Sequence, residues 1–322
     1  MLKKLRILPA ISGFMLFLSP LYILAETVNT DHLYIVYSPA EMQEHKIKCT
    51  EQMRSNPANL KDHTYQMQRA IKTVLGDDAD YIPKVIGAGE IFYDKGVPYQ
   101  LMHNGIKILL HSYYDVQWLT DVIHGLKGHH EPQEEKCFYE VLKHMPENAT
   151  IIELGSYWGF YSLWFLSAIK NGKAYLIEPD PKRLEIGKKN FALNNKSGFF
   201  KRGFAGAMLD GEPDFTGAEC ILVDDLIESQ GIDHVNILHA DIQGAEYAML
   251  KSTVKHFDKI DYFFISTHEP AVSQQEIINF FKNHGCIILA EHNGPESCSG
   301  DGLIVAKRKG VAGPERIAIR KY

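Results

Sequence analysis

The sequence predicts an α/β chain: a doubly wound, mostly parallel seven-stranded sheet from about Glu134 onward, behind a small α+β N-terminal region. Three observations predict it. Short apolar runs alternate with helix-period segments, a glycine-bearing turn follows the first run, and an acidic residue ends the second. Strands that alternate with helices pair in parallel, because each parallel pair needs a crossover between its members.

The 322 residues leave room for about two domains at roughly 150 residues each. Thirty-four Lys and Arg against 40 Asp and Glu give a net charge of −6. A mildly acidic chain without long basic blocks is a poor partner for nucleic acid, where clustered cations dominate binding. With 45% apolar and 23% charged residues, disorder of the whole chain is also set aside.

In chain order, Lys3, Lys4 and Arg6 precede Ile7 to Ala25, a stretch without charge that contains Pro20 and ends in a small residue. Residues 1–25 therefore read as a secretory signal peptide, cleaved near Ala25. A signal anchor retained in the membrane and a buried N-terminal helix are the alternatives. Any membrane contact is expected only through this segment if it stays uncleaved.

Residues 26–125 read as an accessory α+β region. A helical stretch, Ala40 to Leu75, is interrupted at Pro57 and closes at Gly76-Asp77-Asp78. Hairpin-like pieces follow: Glu90 to Tyr93, the turn Asp94-Lys95-Gly96, Tyr99 to Met102, Asn104-Gly105, and Ile106 to His111.

Residues 126–310 carry the regular pattern. Strands are expected at Thr150 to Leu154, Ala174 to Ile177, Gly198 to Gly203, Val235 to Ala240, Asp261 to Thr267, Cys286 to Ala290 and Gly302 to Ala306. Helices are expected at Glu134 to Leu142, Phe160 to Ile169, Pro181 to Asn194, Val223 to Ser229, Ala245 to Leu250 and Gln274 to Asn283. The last two strands have no helix between them, so one enters antiparallel. The basic tail, residues 311–322 together with Lys307-Arg308-Lys309, reads as a solvated terminus.

Five cysteines at wide spacing leave one thiol over and imply no disulfide framework. Without a CxxC pair, a structural zinc site has little support.

The chemistry concentrates at two strand ends. The first strand runs into Glu153-Leu154-Gly155-Ser156-Tyr157-Trp158-Gly159, where Gly155 and Gly159 let the backbone approach a ligand at a helix start. The second ends in Glu178, 178 − 155 = 23 residues after the first glycine. That is near the ~20 expected of a carboxylate that accepts ribose hydroxyls. An adenosine-containing ligand follows, either a dinucleotide or S-adenosylmethionine. Tyr157 stands where the dinucleotide fingerprint needs its second glycine, so a pyrophosphate would be blocked, and Glu153 suits an ammonium better than a phosphate. S-adenosylmethionine is the preferred reading and an NAD-dependent oxidoreductase the weaker one.

These segments resemble the FkbM-type S-adenosylmethionine-dependent methyltransferases over about His130 to Ala306. The matching pieces are His130-Glu131-Pro132, Glu153 to Ser162, Glu178-Pro179, Ala205-Gly206 through Asp210-Gly211 to Phe215, Val223 to Leu226, and Asp241-Ile-Gln-Gly244-Ala-Glu246 to Lys251. The chain departs from the family at Glu153, usually Asp, at His239, usually Lys, and at Gln243, often Glu. The resemblance implies a Rossmann-like class I methyltransferase domain and O-methylation of a sugar or secondary-metabolite hydroxyl. It would place Glu153, Gly155 and Gly159 at the methionine portion, with Ser156 and Tyr157 in the same turn. Glu178 would hold the ribose, the Phe204 to Gly206 turn with Ala205 the adenine, and Glu131 would lie near the cofactor mouth. Asp241 would face the transferred methyl.

A base for the hydroxyl proton is expected among Asp241, His268 and His239, at or near central strand ends. A divalent ion on Asp241, His268, Glu269 and Asp301 is the weaker expectation, since strand-end acids are common without metals. Zinc on His124, His129 and His130 is weaker still, because these lie in a punctuated loop that contains the family-like His-Glu-Pro. The competing function class is an exported, non-catalytic binding protein that keeps the fold, motivated by the outward-pointing start of the chain.

Overall fold

The computed structural model describes residues 33–56, 64–113, 117–206, 217–268 and 273–322. The apolar start, Pro57, the segment through Asp210, Gly211 and Phe215, and Glu269 lie outside these residues.

Ser38 opens helix α1 (Pro39–Ser55) with a capping box. Its hydroxyl accepts from the Glu41 amide while the Glu41 carboxylate accepts from the Ser38 amide. Two amides that a helix start leaves unpaired are thereby satisfied. Helix α2 (Thr64–Val74) packs on α1. A two-stranded ribbon pairs β1 (Tyr34–Ile35) with β2 (Lys84–Val85), and a three-stranded meander follows: β3 (Ile91–Asp94), β4 (Val97–Leu101) and β5 (Lys107–Leu109). Lys95 and Gly96, both at positive φ, make the two-residue turn between β3 and β4, as hairpins with matching twist require. Helix α3 (Gln117–Gly125), which the sequence reading left unparsed, buries Leu119, Val122 and Ile123 against α1 and α2.

From here strands and helices alternate as expected: α4 (Pro132–Leu142), β6 (Thr150–Leu154), α5 (Phe160–Ala168), β7 (Lys173–Glu178), α6 (Pro181–Leu193), β8 (Phe199–Ala205), β9 (Glu219–Ile221), α7 (Val223–Ser229), β10 (Val235–Ala240), α8 (Glu246–Ser252), β11 (Ile260–Thr267), α9 (Gln274–Asn283), β12 (Cys286–His292) and β13 (Gly302–Arg308). The sheet order is β12-β13-β11-β10-β6-β7-β8-β9. All pairs are parallel except those of β13, which runs against both neighbours, so the expected antiparallel strand is the last one. The seven expected strands are present, and β9 adds a short eighth at the edge. Three residues carry too little pattern to show it in sequence.

The central strands bury both faces, and alternate residues feed opposite cores. Ile151 and Ile237 enter one cluster, Ile152 and Leu238 the other. The first cluster also takes in Met53, Ala70, Val74, Met102 and Ile106, so the N-terminal helices and meander share a core with the sheet. No described helix is long and apolar enough to cross a membrane.

The expectation of a solvated basic tail holds for Lys309, Arg316, Arg320 and Lys321, which are exposed, and is corrected for Lys307 and Ile317. Lys307 is fully buried, its ammonium donating to the Gly313 carbonyl and to Glu315 at 2.7 Å. Ile317 is buried and donates its amide to the Leu289 carbonyl. Arg320 reaches Asp77 at 2.7 Å, and its amide donates to Asp78. Composition reads the cations as solvated; their acidic partners come from distant segments.

Phe138 of α4 is fully buried and meets Tyr161, Trp164 and Phe264, joining α4 and α5 to β11. Phe138→Ala is expected to lower stability by about 3–5 kcal/mol, measured by urea unfolding. A loss below about 1 kcal/mol would show that this ring is not the joint between the two helices and the sheet.

Candidate functional site

Strands β6 and β10 are neighbours whose outgoing connections head to opposite sides of the sheet, and ligands bind at such a switch point. A cavity of about 200 Å³ opens there, at the carboxyl ends of the strands.

The floor is a close backbone crossing. The Asp241 amide donates to the Leu154 carbonyl, and the Gly155 and Ser156 amides both donate to the Ile177 carbonyl. Gly155 sits at φ +72, and a Cβ there would lie 1.9 Å from the Asp241 carbonyl oxygen. Only glycine fits. Tyr157, next in the turn, takes φ 39, and its amide donates to Glu178 at 3.0 Å, which holds this unfavourable conformation.

Glu178 ends β7 and is buried. One carboxylate oxygen accepts from Tyr157 N, the other from Asp180 N at 2.9 Å. Burial lifts its carboxyl above the ordinary range, and these two amides oppose the lift. Glu153, near the end of β6, accepts from the Ser162 amide at 3.0 Å and so caps the first turn of α5. Burial raises it too, against the pull of His239.

Glu131, Ser156, Phe204 and Ala205 line the cavity along with Glu153, Gly155, Tyr157 and Glu178, as do His239 and Asp241. Gly159 does not. It caps α5 at φ +71 beneath the turn, where a Cβ would come 2.9 Å from the Phe191 ring. His268 also lies outside the lining and reaches the cavity through Asp241.

Asp241 accepts from the Gln243 side chain at 2.9 Å and stands 3.4 Å from His268 Nε2. The other ring nitrogen, Nδ1, is 2.8 Å from Glu246, whose same oxygen accepts the Gly244 amide. Glu246, His268 and Asp241 thus form a chain from the buried start of α8 to the cavity. Burial among protein groups lifts the Asp241 carboxyl to about 7, which His268 opposes and Glu131 and Asp301 reinforce. Burial depresses the His268 imidazole, but Glu246 and Asp241 outweigh it and raise it to about 9.

His239 is 2.8 Å from Glu134 across the cavity wall, and its ring lies 4.3 Å from that of Tyr161. Burial lowers this imidazole, but the Glu134 bond together with the charges of Glu134, Glu153 and Asp241 raises it above its ordinary value.

Sequence reasoning missed Tyr113, His130, Glu134, Tyr161, Arg183 and Ser266 in the lining. Tyr113 stacks on Trp158 at 4.4 Å, and the Arg183 guanidinium lies 4.7 Å from the centre of the Tyr157 ring. Glu134 stands two residues past the noted His-Glu-Pro, but 105 residues separate it from His239, and no local signal joins them. Beneath the wall, Glu135 accepts the His130 and Glu131 amides and pairs with His129 and His130. Burial would raise Glu135, yet the two histidines hold it well below the usual range.

Of the first candidate metal set, Asp241 and Asp301 both stand near His268, and Glu269 lies outside the described residues; the histidine set is divided between two places. Asp301 lies 4.0 Å from His268 and pairs with Arg69, and Asp241, His268 and Asp301 are not among the described groups compact enough to hold an ion. His124 belongs to α3 beside His45, apart from His129 and His130, which turn to Glu135. All five cysteines are unbridged.

No protein-family model matches the chain, and no curated protein matches it. Among solved structures, it is similar to M. capricolum TrmK bound to S-adenosyl-homocysteine (16% identity, 54% of this chain, 68% of that one, TM-score 0.35). It is also similar to a putative rRNA-methylase from Clostridium thermocellum (9%, 56%, 97%, TM-score 0.40). A third is the ribosomal protein L11 methylase from Lactobacillus delbrueckii subsp. bulgaricus (11%, 56%, 80%, TM-score 0.39). The fold is a Rossmann-like, mostly parallel α/β sheet with a small α+β N-terminal region.

Gly155→Ala is expected to cost more than about 2 kcal/mol, because the new Cβ meets backbone on both counts of space and φ. Thermal unfolding of the variant checks this, and an unchanged Tm would mean that the crossing at Asp241 is looser than described.

Proposed function

We propose that the chain is an S-adenosylmethionine-dependent methyltransferase of the FkbM type that methylates a hydroxyl of a sugar or small metabolite. The observation that carries this is Glu178, a buried carboxylate fixed by two backbone amides at the end of β7 and facing a cavity floored by the Gly155 turn. Its remaining lone pairs suit the two hydroxyls of a ribose. The cavity fits a cation in other respects too. Glu131, Glu134, Glu153, Glu178 and Asp241 line it against Arg183 and the imidazoles of His130 and His239, so carboxylates are in excess among the described lining residues. A sulfonium and an ammonium find favourable charge there, whereas a pyrophosphate meets the Tyr157 ring and a surplus of carboxylates.

S-adenosylmethionine supplies a methyl group that is already strongly electrophilic. The protein's own work is then to align the acceptor hydroxyl and take its proton. Asp241 is the group placed for this. It lines the cavity, and a carboxyl lifted to about 7 is matched to proton removal near neutrality. His268, held by Glu246, positions Asp241 and tunes it, and Gln243 fixes its rotamer.

Calorimetric titration of the full chain should show saturable S-adenosylmethionine binding, none of comparable strength for NAD, and loss of binding in Glu178→Ala. Equal binding by that variant would remove Glu178 from the ribose. Transfer of labelled methyl to a hydroxyl acceptor separates an enzyme from a binding protein of the same fold.

The rate should rise with pH through about 7, because the Asp241 proton must leave before the carboxylate can act as base. In His268→Asn the opposing positive charge is gone, so this limb should move to higher pH, while Asp241→Asn should lose the limb and roughly 10²–10⁴ in rate. A pH profile that ignores both substitutions would rule out this base.

A further inference from the structure

Away from the cavity, α1, α3 and the turn before β3 bring four metal-ligating side chains together. His45 and Cys49 lie four residues apart on α1, hence on one helix face. Cys49 Sγ is 3.5 Å from His45 Nε2 and 3.9 Å from Nδ1. His124, in the last turn of α3, meets the His45 ring edge-on at 5.3 Å, and ligand atoms of all three residues lie within 4.8 Å of one another. Glu90 Oε1 stands 3.5 Å from His124 Nδ1.

The ligand atoms of His45, Cys49 and His124 lie near tetrahedral separations, and Glu90, outside that compact group, would turn in from beside His124. Bonds of about 2.3 Å to sulfur and about 2.0 Å to nitrogen or oxygen set ligand atoms roughly 3.5 Å apart. A second observation concerns His45 Nε2, which lies 3.0 Å from the His124 carbonyl oxygen. That nitrogen therefore carries the proton and donates it, leaving the Nδ1 lone pair, 3.9 Å from Cys49 Sγ, for an ion. Histidines that bind metals are oriented in this way, with the second ring N–H given to a carbonyl or carboxylate.

The surrounding backbone keeps the four residues close. Gly89 sits at φ +86, where a Cβ would come 3.0 Å from the Ile123 carbonyl oxygen and 3.1 Å from His124 Cα, so Glu90 is held against the end of α3. At Gly125 a Cβ would lie 2.8 Å from Val74 Cγ1 and 3.4 Å from Cys49 Cβ, so glycine permits the approach of α3 to α1.

We infer that His45, Cys49, Glu90 and His124 form a zinc site that ties α1, α3 and the start of the meander together. A thiolate and a carboxylate balance the two charges of the ion, and two imidazoles complete the tetrahedron. Cys49 is 4% exposed, while the His124 and Glu90 side chains are 35% and 48% exposed, so the ion reaches the site from the Glu90 side. Binding displaces the thiol proton, which burial otherwise retains. The other compact group, His103, His129 and Glu135, is internally paired and nearly closed to solvent. From His124 the chain runs directly to His130 and Glu131 in the cavity wall, so the ion would also steady that approach.

The test is cobalt titration of the full chain after chelator treatment, followed by zinc. Expected are a near-ultraviolet thiolate-to-cobalt band that saturates at one ion per chain, its displacement by zinc, and a higher Tm with zinc. Cys49→Ser should abolish the band, and His124→Ala should weaken zinc binding by more than about 100-fold, beyond the effect of an outer-shell partner. Cys220→Ser removes the exposed thiol and should leave the band intact. No band, a band that follows Cys220, or a Tm indifferent to zinc overturns the site. Where Cys49→Ser does not fold, Glu90→Gln decides: weaker cobalt binding supports the four-ligand site, and unchanged binding overturns it.

Discussion

The site depends on the contact between Gly155 and the backbone of Asp241. A side chain at 155 would place its Cβ 1.9 Å from the Asp241 carbonyl oxygen, so the ends of β6 and β10 can lie this close only across a glycine. From that crossing the other placements follow. The Gly155 and Ser156 amides reach the Ile177 carbonyl, which sets the end of β7 beside the turn and brings Glu178 under Tyr157. The Asp241 amide reaches Leu154, which aims the Asp241 side chain over the same floor.

Charge is arranged in two tiers around this floor. Three carboxylates facing the cavity are raised by burial and only partly relieved by neighbours: Glu153 by His239 and Ser162, Glu178 by two amides, Asp241 by His268; burial would raise Glu131 too, but His130 holds it below its ordinary range. Glu135, behind the wall, is held far below its usual range by His129 and His130. The first tier wants a cation that a ligand can supply; the second is neutralised within the protein. A buried charge left without either would cost several kcal/mol, which explains why each acid has a named partner or faces the cavity.

The N-terminal region is part of the same body. Met53, Ala70 and Val74 share a core with Ile151 and Phe160, and the chain's last residues return to Asp77 and Asp78. The tail passes β12 with Ile317 buried, and Arg320 and Lys321 pair with Asp77, Glu291 and Glu296, so the tail fastens the accessory region to the sheet.

The α/β class, the strand alternation and the presence of one antiparallel strand among the last two were legible in sequence, from local periodicity and the missing crossover helix; the structure decided that it is the last. Strands Thr150–Leu154 and Val235–Ala240 and helices Val223–Ser229 and Gln274–Asn283 match the residue ranges read from the pattern; strands buried on both faces read as largely apolar runs, broken here by Thr150, Glu153, Asn236 and His239. Gly155 and Glu178 were legible for the same reason, each standing at a strand end that the pattern defines. What only the tertiary structure decided are pairings across distance: Glu134 with His239, Lys307 with Glu315 after a turn, Arg320 with Asp77, His45 and Cys49 with His124. It also separated Asp241, which faces the cavity, from His268, which acts on it from behind, and moved Gly159 from the lining to the helix cap. Periodicity reports which way a side chain faces within its own element. Which distant residue it meets depends on how the elements pack, and nothing local encodes that.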